Sequence, residues 1–163
     1  RQFHQLVRSV PGRGRLIVPG ADPNVAALLG MGCWTPVTRF GSTPGTGDWI
    51  GREEPAGTFR LTQGDAEVGA VPWQLSGAHN AENAVAALLA AAEAGVAPAV
   101  ALEAIGSFRG VARRLQLLGE FAGVRLFDDF AHHPTAIRRT LEGLRRRPGV
   151  RRVLAVFEPR SNS

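Results

Sequence analysis

Residues 80–94 read Asn-Ala-Glu-Asn-Ala-Val-Ala-Ala-Leu-Leu-Ala-Ala-Ala-Glu-Ala, a run in which Glu82 and Glu93 are the only charges. Ala and Leu are strong helix formers, and Gly95 marks a C-terminal stop. A helix apolar on nearly all sides is expected to be buried, so the chain must supply other elements to cover it. Pro98 opens a second predicted helix that runs to Ile105.

The segments before this helix supply strands. Arg15-Leu16-Ile17-Val18 reads as a short buried strand ended by Pro19-Gly20, and Asp22 is placed to cap a helix with Pro23 in its first turn, running to Leu29. Further strands are predicted at 37–40, 49–52, 58–62 and 68–75, with turns at 41–48 and 53–57. That spacing suggests antiparallel pairing. After the helices, residues 115–121 and 124–130 predict a hairpin about Ala122-Gly123. Pro134 starts an amphipathic helix to Arg146 with Ile137, Leu141 and Leu144 on one face, and residues 153–157 read as a continuous apolar strand. A domain boundary is expected within 107–114, and strand–helix–strand beyond it is the start of an α/β unit.

The formal charge is +5, and all 19 basic residues are Arg. Nucleic-acid modules interleave aromatics with a basic stripe. Here there is no Tyr, and the Arg pairs fall in loops and on polar faces. No nucleic-acid partner is expected. No apolar run approaches the roughly 20 residues needed to span a membrane, so no membrane partner is expected either. Cys33 is the single cysteine, which fits a reducing, cytoplasmic compartment. The chain opens on Arg1 and stops at Ser163 directly after a strand-like run, and both ends read as cuts.

Four polar clusters carry the candidate chemistry. The first is Gly77-Ala78-His79-Asn80-Ala81-Glu82-Asn83 at the head of the Ala-rich helix. Asn80 and Asn83 share a face there, near free backbone N–H groups, and suit the edge of a base or a phosphate. Helix capping by Ser76 or Asn80 accounts for the same spacing. The second cluster is the pair Arg113-Arg114, placed to clamp a phosphate or simply solvated. The third is Asp128-Asp129-Phe130-Ala131-His132-His133-Pro134, two carboxylates at a strand end and two imidazoles before a helix. It could bind a ribose, orient a substrate amine or cap the helix through Asp129 or His133. A metal site needs three or four ligands, and with no second His or Cys cluster none is expected. The fourth is Glu158-Pro159-Arg160-Ser161-Asn162, where Arg160 suits a carboxylate.

In order and spacing these segments resemble the Mur ligase family. Gly77, His79, Asn80 and Asn83 match its Gly/His-Asn/Asn pattern before an Ala-rich helix. Arg113-Arg114 match its inter-domain Arg pair, and residues 128–134 match its Asp-Asp-aromatic-small-His-His-Pro run. Phe3-His4-Gln5-Leu6-Val7-Arg8, Met31-Gly32-Cys33-Trp34 and residues 158–162 resemble the branch that adds a tripeptide rather than L-alanine.

The resemblance implies an α/β fold: residues 1–110 as the later part of a central ATPase domain, and residues 111–163 as the first part of a Rossmann-like C-terminal domain. It implies an enzyme that uses ATP and magnesium to join UDP-N-acetylmuramate to the murein tripeptide in cell-wall recycling. Asn80, Asn83 and Asp129 are then expected at the nucleotide, with Asp129 on the ribose. Arg114 is expected at the transferred phosphoryl group, and His132 and Arg160 near the incoming peptide. These clusters are expected to converge on one nucleotide-and-peptide pocket.

The chain also departs from the family pattern. It contains no Lys, so the phosphate-loop and modified lysines are missing, and Gly12-Arg13-Gly14 is too short for a phosphate loop. By itself the chain is therefore expected not to catalyse. The alternatives are a non-catalytic nucleotide- or peptide-binding module on the same scaffold, and an L-alanine-adding ligase.

Overall fold

Phe59 and Leu61 alternate with Thr58, Arg60 and Thr62, the period of two that turns one face of a strand inward. In the computed structural model, which describes residues 2–75, 77–147 and 149–158, both are fully buried. The chain divides into two compact units, Arg1–Phe108 and Arg109–Ser163.

The first unit carries helices α1 (Gln2–Ser9), α2 (Pro23–Gly30), α3 (Ala78–Glu93) and α4 (Pro98–Ser107). Its strands are β1 (Leu16–Pro19), β2 (Val37–Gly41), β3 (Trp49–Glu54), β4 (Thr58–Gln63) and β5 (Ala66–Pro72). They form one sheet in the order β1-β2-β3-β4-β5. Asp22 caps α2 as expected, accepting from the N–H groups of Asn24 and Val25 at 2.8 and 3.3 Å. Helix α1 carried no capping signal and is a finding of the structure. It is only two turns long, and of its side chains Val7 is buried while Phe3 and Leu6 are exposed.

The core joins Phe40, Phe59, Leu61 and Trp73 of the sheet side to Ala81, Ala84, Val85, Leu88 and Leu89 of α3, with Ala101 and Leu102 of α4. The helical positions recur at the three- and four-residue spacing of a single face. This corrects the expectation of a helix covered on nearly all sides: Ala87, Ala90 and Ala92 are exposed. Alanine has little apolar surface to hide, so it is tolerated in water while the larger Val and Leu seek the sheet. Gly51 of β3 makes the close packing possible. A methyl group there would overlap Val85 Cγ2 and lie 2.7 Å from Phe59 Cε2.

Pairing is mixed. β3–β4 and β4–β5 are antiparallel, as the turn spacing suggested, but β1–β2 and β2–β3 are parallel. Parallel neighbours usually need a long crossover. Residues 42–48 suffice between β2 and β3 because only Phe40↔Trp49 and Gly41↔Ile50 pair. The loop doubles back through Thr46, whose N–H and hydroxyl both donate to Thr43 O, and Asp48 N–H then donates to Arg39 O. Gly47 lies flat on Phe40, where a Cβ would come within 2.7 Å of its Cα.

On the open face of β4, Arg60 grips Glu54 through two bonds, at 2.6 and 3.0 Å, and reaches Glu67 at 2.6 Å. This hydrogen bonding by Arg60 lowers the pKa of the Glu54 carboxyl. The β3–β4 turn holds Ala56 at φ 72°, a left-handed conformation that costs a residue with a Cβ about 1–2 kcal/mol. Ala56→Gly is therefore expected to stabilise the first unit by about 0.5–1 kcal/mol after glycine's own entropy cost. A higher midpoint with unchanged slope in tryptophan-detected urea unfolding would show it.

The second unit holds a hairpin of β6 (Gln116–Phe121) and β7 (Val124–Asp128), then helix α5 (Pro134–Arg145). Ala122 and Gly123 both take positive φ, 49° and 79°, as a two-residue type I′ turn requires. Ile137, Leu141 and Leu144 of α5 are half-buried along one face. The apolar strand expected at 153–157 is not formed. Those residues have no regular structure, and Val156 is 99% exposed. A strand exists only through its ladder partners, and none of the described residues pairs with this segment.

Candidate functional site

The first turn of α3 begins at Gly77 (φ 101°, ψ 143°), and no side-chain hydrogen bond caps it. Asn80 lies inside the helix rather than at its cap, so capping by Asn80 is not what the structure shows; Ser76 is outside the described residues. The turn is tied down from neighbouring loops instead. Gly77 N–H donates to Glu53 Oε2 at 2.8 Å, and the Ser42 hydroxyl donates to Glu82 Oε1 at 2.8 Å. Asn80 is half-buried and Asn83 exposed on the same side of the helix. Both carboxamides sit near the positive end of the helix dipole, where a polar or anionic ligand is favoured.

In the second unit, the end of β7 folds back against residues 113–115. Asp129 Oδ2 accepts the Leu115 N–H and its Oδ1 accepts the Ala131 N–H, both at 2.7 Å. Phe130 N–H donates to Arg113 O at 2.7 Å, and Arg113 Nε donates to Asp128 Oδ2 at 3.1 Å. The Arg113 and Arg114 guanidinium carbons lie 5.5 and 5.7 Å from the centre of the Phe130 ring, and the His132 ring packs on it in a T-shaped arrangement with ring centres 5.2 Å apart and planes at 72°.

Two imidazoles take different roles. His133 caps α5, its Nδ1 accepting the Thr135 N–H at 3.3 Å. His132 Nδ1 lies 3.1 Å from Phe130 O. A carbonyl can only accept, so Nδ1 donates in this contact, and the side chain as a whole is exposed.

Arg114, Asp129 and His132 are thus gathered around Phe130. Asn80 and Asn83 share one turn in the other unit. Arg160 lies outside the described residues. Phe130 is the residue that sequence reasoning passed over. Its position between the carboxylate and imidazole pairs was visible, but stacking with arginines distant in the chain was not. Glu53 was also missed, since nothing in its turn context signals a bond to Gly77. Among the described residues no group of three or more His, Cys, Asp or Glu side chains converges to hold a metal ion. No helix among them is long and apolar enough to cross a membrane.

Residues 113–163 match the family model described as Mur ligase, glutamate ligase domain. The chain is 46% identical over 166 residues to the UDP-N-acetylmuramate–L-alanyl-gamma-D-glutamyl-meso-2,6-diaminoheptandioate ligase of Escherichia coli (strain K12), covering 100% of this chain and 36% of that protein. It is 38% identical over 174 residues to the UDP-N-acetylmuramate–L-alanine ligase of Mycobacterium ulcerans (strain Agy99), covering 96% and 35%. The crystal structure of a murein peptide ligase from Psychrobacter arcticus superposes with a TM-score of 0.73 at 39% identity, covering 99% of this chain and 34% of that one. The chain therefore spans about a third of the length of these relatives. With that similarity running through both units, the chain belongs to the Mur ligase family.

Proposed function

We propose that this chain is a segment of an ATP-dependent ligase that joins the tripeptide L-Ala-γ-D-Glu-meso-diaminopimelate to UDP-N-acetylmuramate. The observation that carries this reading is the 46% identity to the tripeptide ligase of Escherichia coli, which extends over the whole of this chain. The local geometry supports it. The Asp129 oxygens each hold one backbone N–H and keep a further lone pair, which suits a ribose hydroxyl. Asn80 and Asn83 offer carboxamides to the nucleotide. Arg114 supplies a planar cation for charge that develops on a transferred phosphoryl group. His132, exposed beside Phe130 with its Nδ1 engaged by the Phe130 carbonyl, suits the attacking amine of the peptide, and Arg160 is assigned to its carboxylate.

ATP supplies the phosphoryl group that turns the muramoyl carboxylate into an acyl phosphate. Attack by the peptide amine then forms the amide, releases phosphate and loses one proton. Magnesium at nucleotide sites binds through one or two carboxylates together with phosphate oxygens. Among the described residues no group of three or more His, Cys, Asp or Glu side chains forms a cage of its own for it.

A second reading, the L-alanine-adding ligase, is favoured by the 38% identity to the Mycobacterium ulcerans protein. The deciding experiment offers tripeptide or L-alanine to the complete ligase carrying this segment, with UDP-N-acetylmuramate, ATP and magnesium, and follows ADP release and product mass. Tripeptide-dependent product is expected. Product with L-alanine only would replace the first reading by the second, and product with neither would remove both. The isolated chain, which has no Lys, is expected to release no ADP above background.

A further inference from the structure

Arg113 and Leu115, the two neighbours of Arg114, both adopt left-handed backbone conformations, with φ of 59° and 52°. Side chains with a Cβ disfavour that region, and leucine more than most. Two such residues flanking a third are held only where the surroundings over-determine them. Four backbone groups in and around this turn are held by defined partners. Leu115 N–H is bound by Asp129 Oδ2 at 2.7 Å and Arg113 O by the Phe130 N–H at 2.7 Å. Arg113 N–H is bound by Gln116 Oε1 at 2.9 Å. Asp129 Oδ1 simultaneously fixes its own segment through Ala131 N–H. Asp129 joins the two segments through charge-assisted bonds to uncharged backbone donors, and the Arg113 Nε–Asp128 Oδ2 bond at 3.1 Å is a second, more exposed link between them.

We propose that Asp129 is a positioning residue for Arg114: its carboxylate locks the left-handed turn at residues 113–115 and so sets the guanidinium over the Phe130 ring. This role is separate from the ribose contact suggested above. It rests on the ligase reading only for the assignment of Arg114 to the phosphoryl group.

The test uses Asp129→Asn, which preserves shape but offers one acceptor oxygen where two backbone N–H groups need one each. In this chain, amide hydrogen exchange followed by NMR is expected to speed at least tenfold at Leu115 or Ala131, with the Ile50 and Val85 amides unchanged. Full retention of protection at both sites would overturn the lock, whatever the chain's activity. In the complete ligase, Asp129→Asn is expected to lower kcat at least tenfold. Adding Leu115→Gly, which adopts positive φ without a Cβ penalty, is expected to restore most of that kcat. A raised KM for ATP, from the lost ribose contact, is expected to remain. If Leu115→Gly restores none of kcat, the positioning role is overturned. A wild-type ligase without tripeptide- or alanine-dependent product would instead sink the functional reading, and the exchange experiment would still decide the lock.

Discussion

Phe59→Ala is expected to destabilise the first unit by about 3–5 kcal/mol, the range for deleting a fully buried aromatic ring. Phe59 is completely inaccessible. Its ring centre lies 5.1 Å from that of Trp73, and its Cε2 and Cζ occupy space where a Cβ on Gly51 would come within 2.7 and 2.8 Å of them. Collapse into the vacated space is hindered because β4 is held on both edges by antiparallel ladders. The three tryptophans, Trp34, Trp49 and Trp73, all fall in the first unit, so fluorescence-detected urea unfolding reports on that unit alone. Phe59→Leu, which keeps most of the volume, is expected to cost far less, about 1.5 kcal/mol or below. A loss under 1 kcal/mol for the alanine variant would show that the ring does not anchor this sheet-to-helix core.

Arg114→Ala is expected to slow the complete ligase by about 10²–10³-fold, the typical effect of removing one donor aimed at transition-state charge. The side chain is exposed and lies over Phe130. Its loss should therefore leave stability within about 0.5 kcal/mol, as for other surface substitutions. Lysine keeps the charge but lacks the planar fork that matches phosphate geometry, so Arg114→Lys is expected to recover only part of the rate. Single-turnover ADP release separates this effect from product dissociation. A rate within threefold of wild type for Arg114→Ala would remove the residue from the reacting centre.

These two positions differ in how far they could be read from the amino-acid order. The inward face of β4 follows from strict alternation of apolar and polar residues. The polar pairs at Asn80/Asn83, Arg113/Arg114 and 128–133 were recognisable from residue type and spacing. What those pairs do locally was not. Asp129 and His133 were both candidates to cap α5. The structure gives that role to His133, while Asp129 bonds the N–H of Leu115, fourteen positions earlier. Turn spacing likewise suggested antiparallel neighbours throughout, yet β2 and β3 run parallel because Thr43 and Thr46 fold the intervening loop back on itself. The apolar run at 153–157 had strand composition but finds no ladder among the described residues.

By itself, the order of residues determined helices α2 to α5, most strands, the tight turns and the identity of the polar groups, since these depend on neighbours within a few positions. Tertiary structure alone decided the parallel pairing of β1, β2 and β3, which face of the Ala-rich helix is covered, and the pairing of Asp129 with the left-handed turn beside Arg114. Those outcomes depend on backbone groups distant in sequence competing for the same partners, and no local pattern records which of them wins.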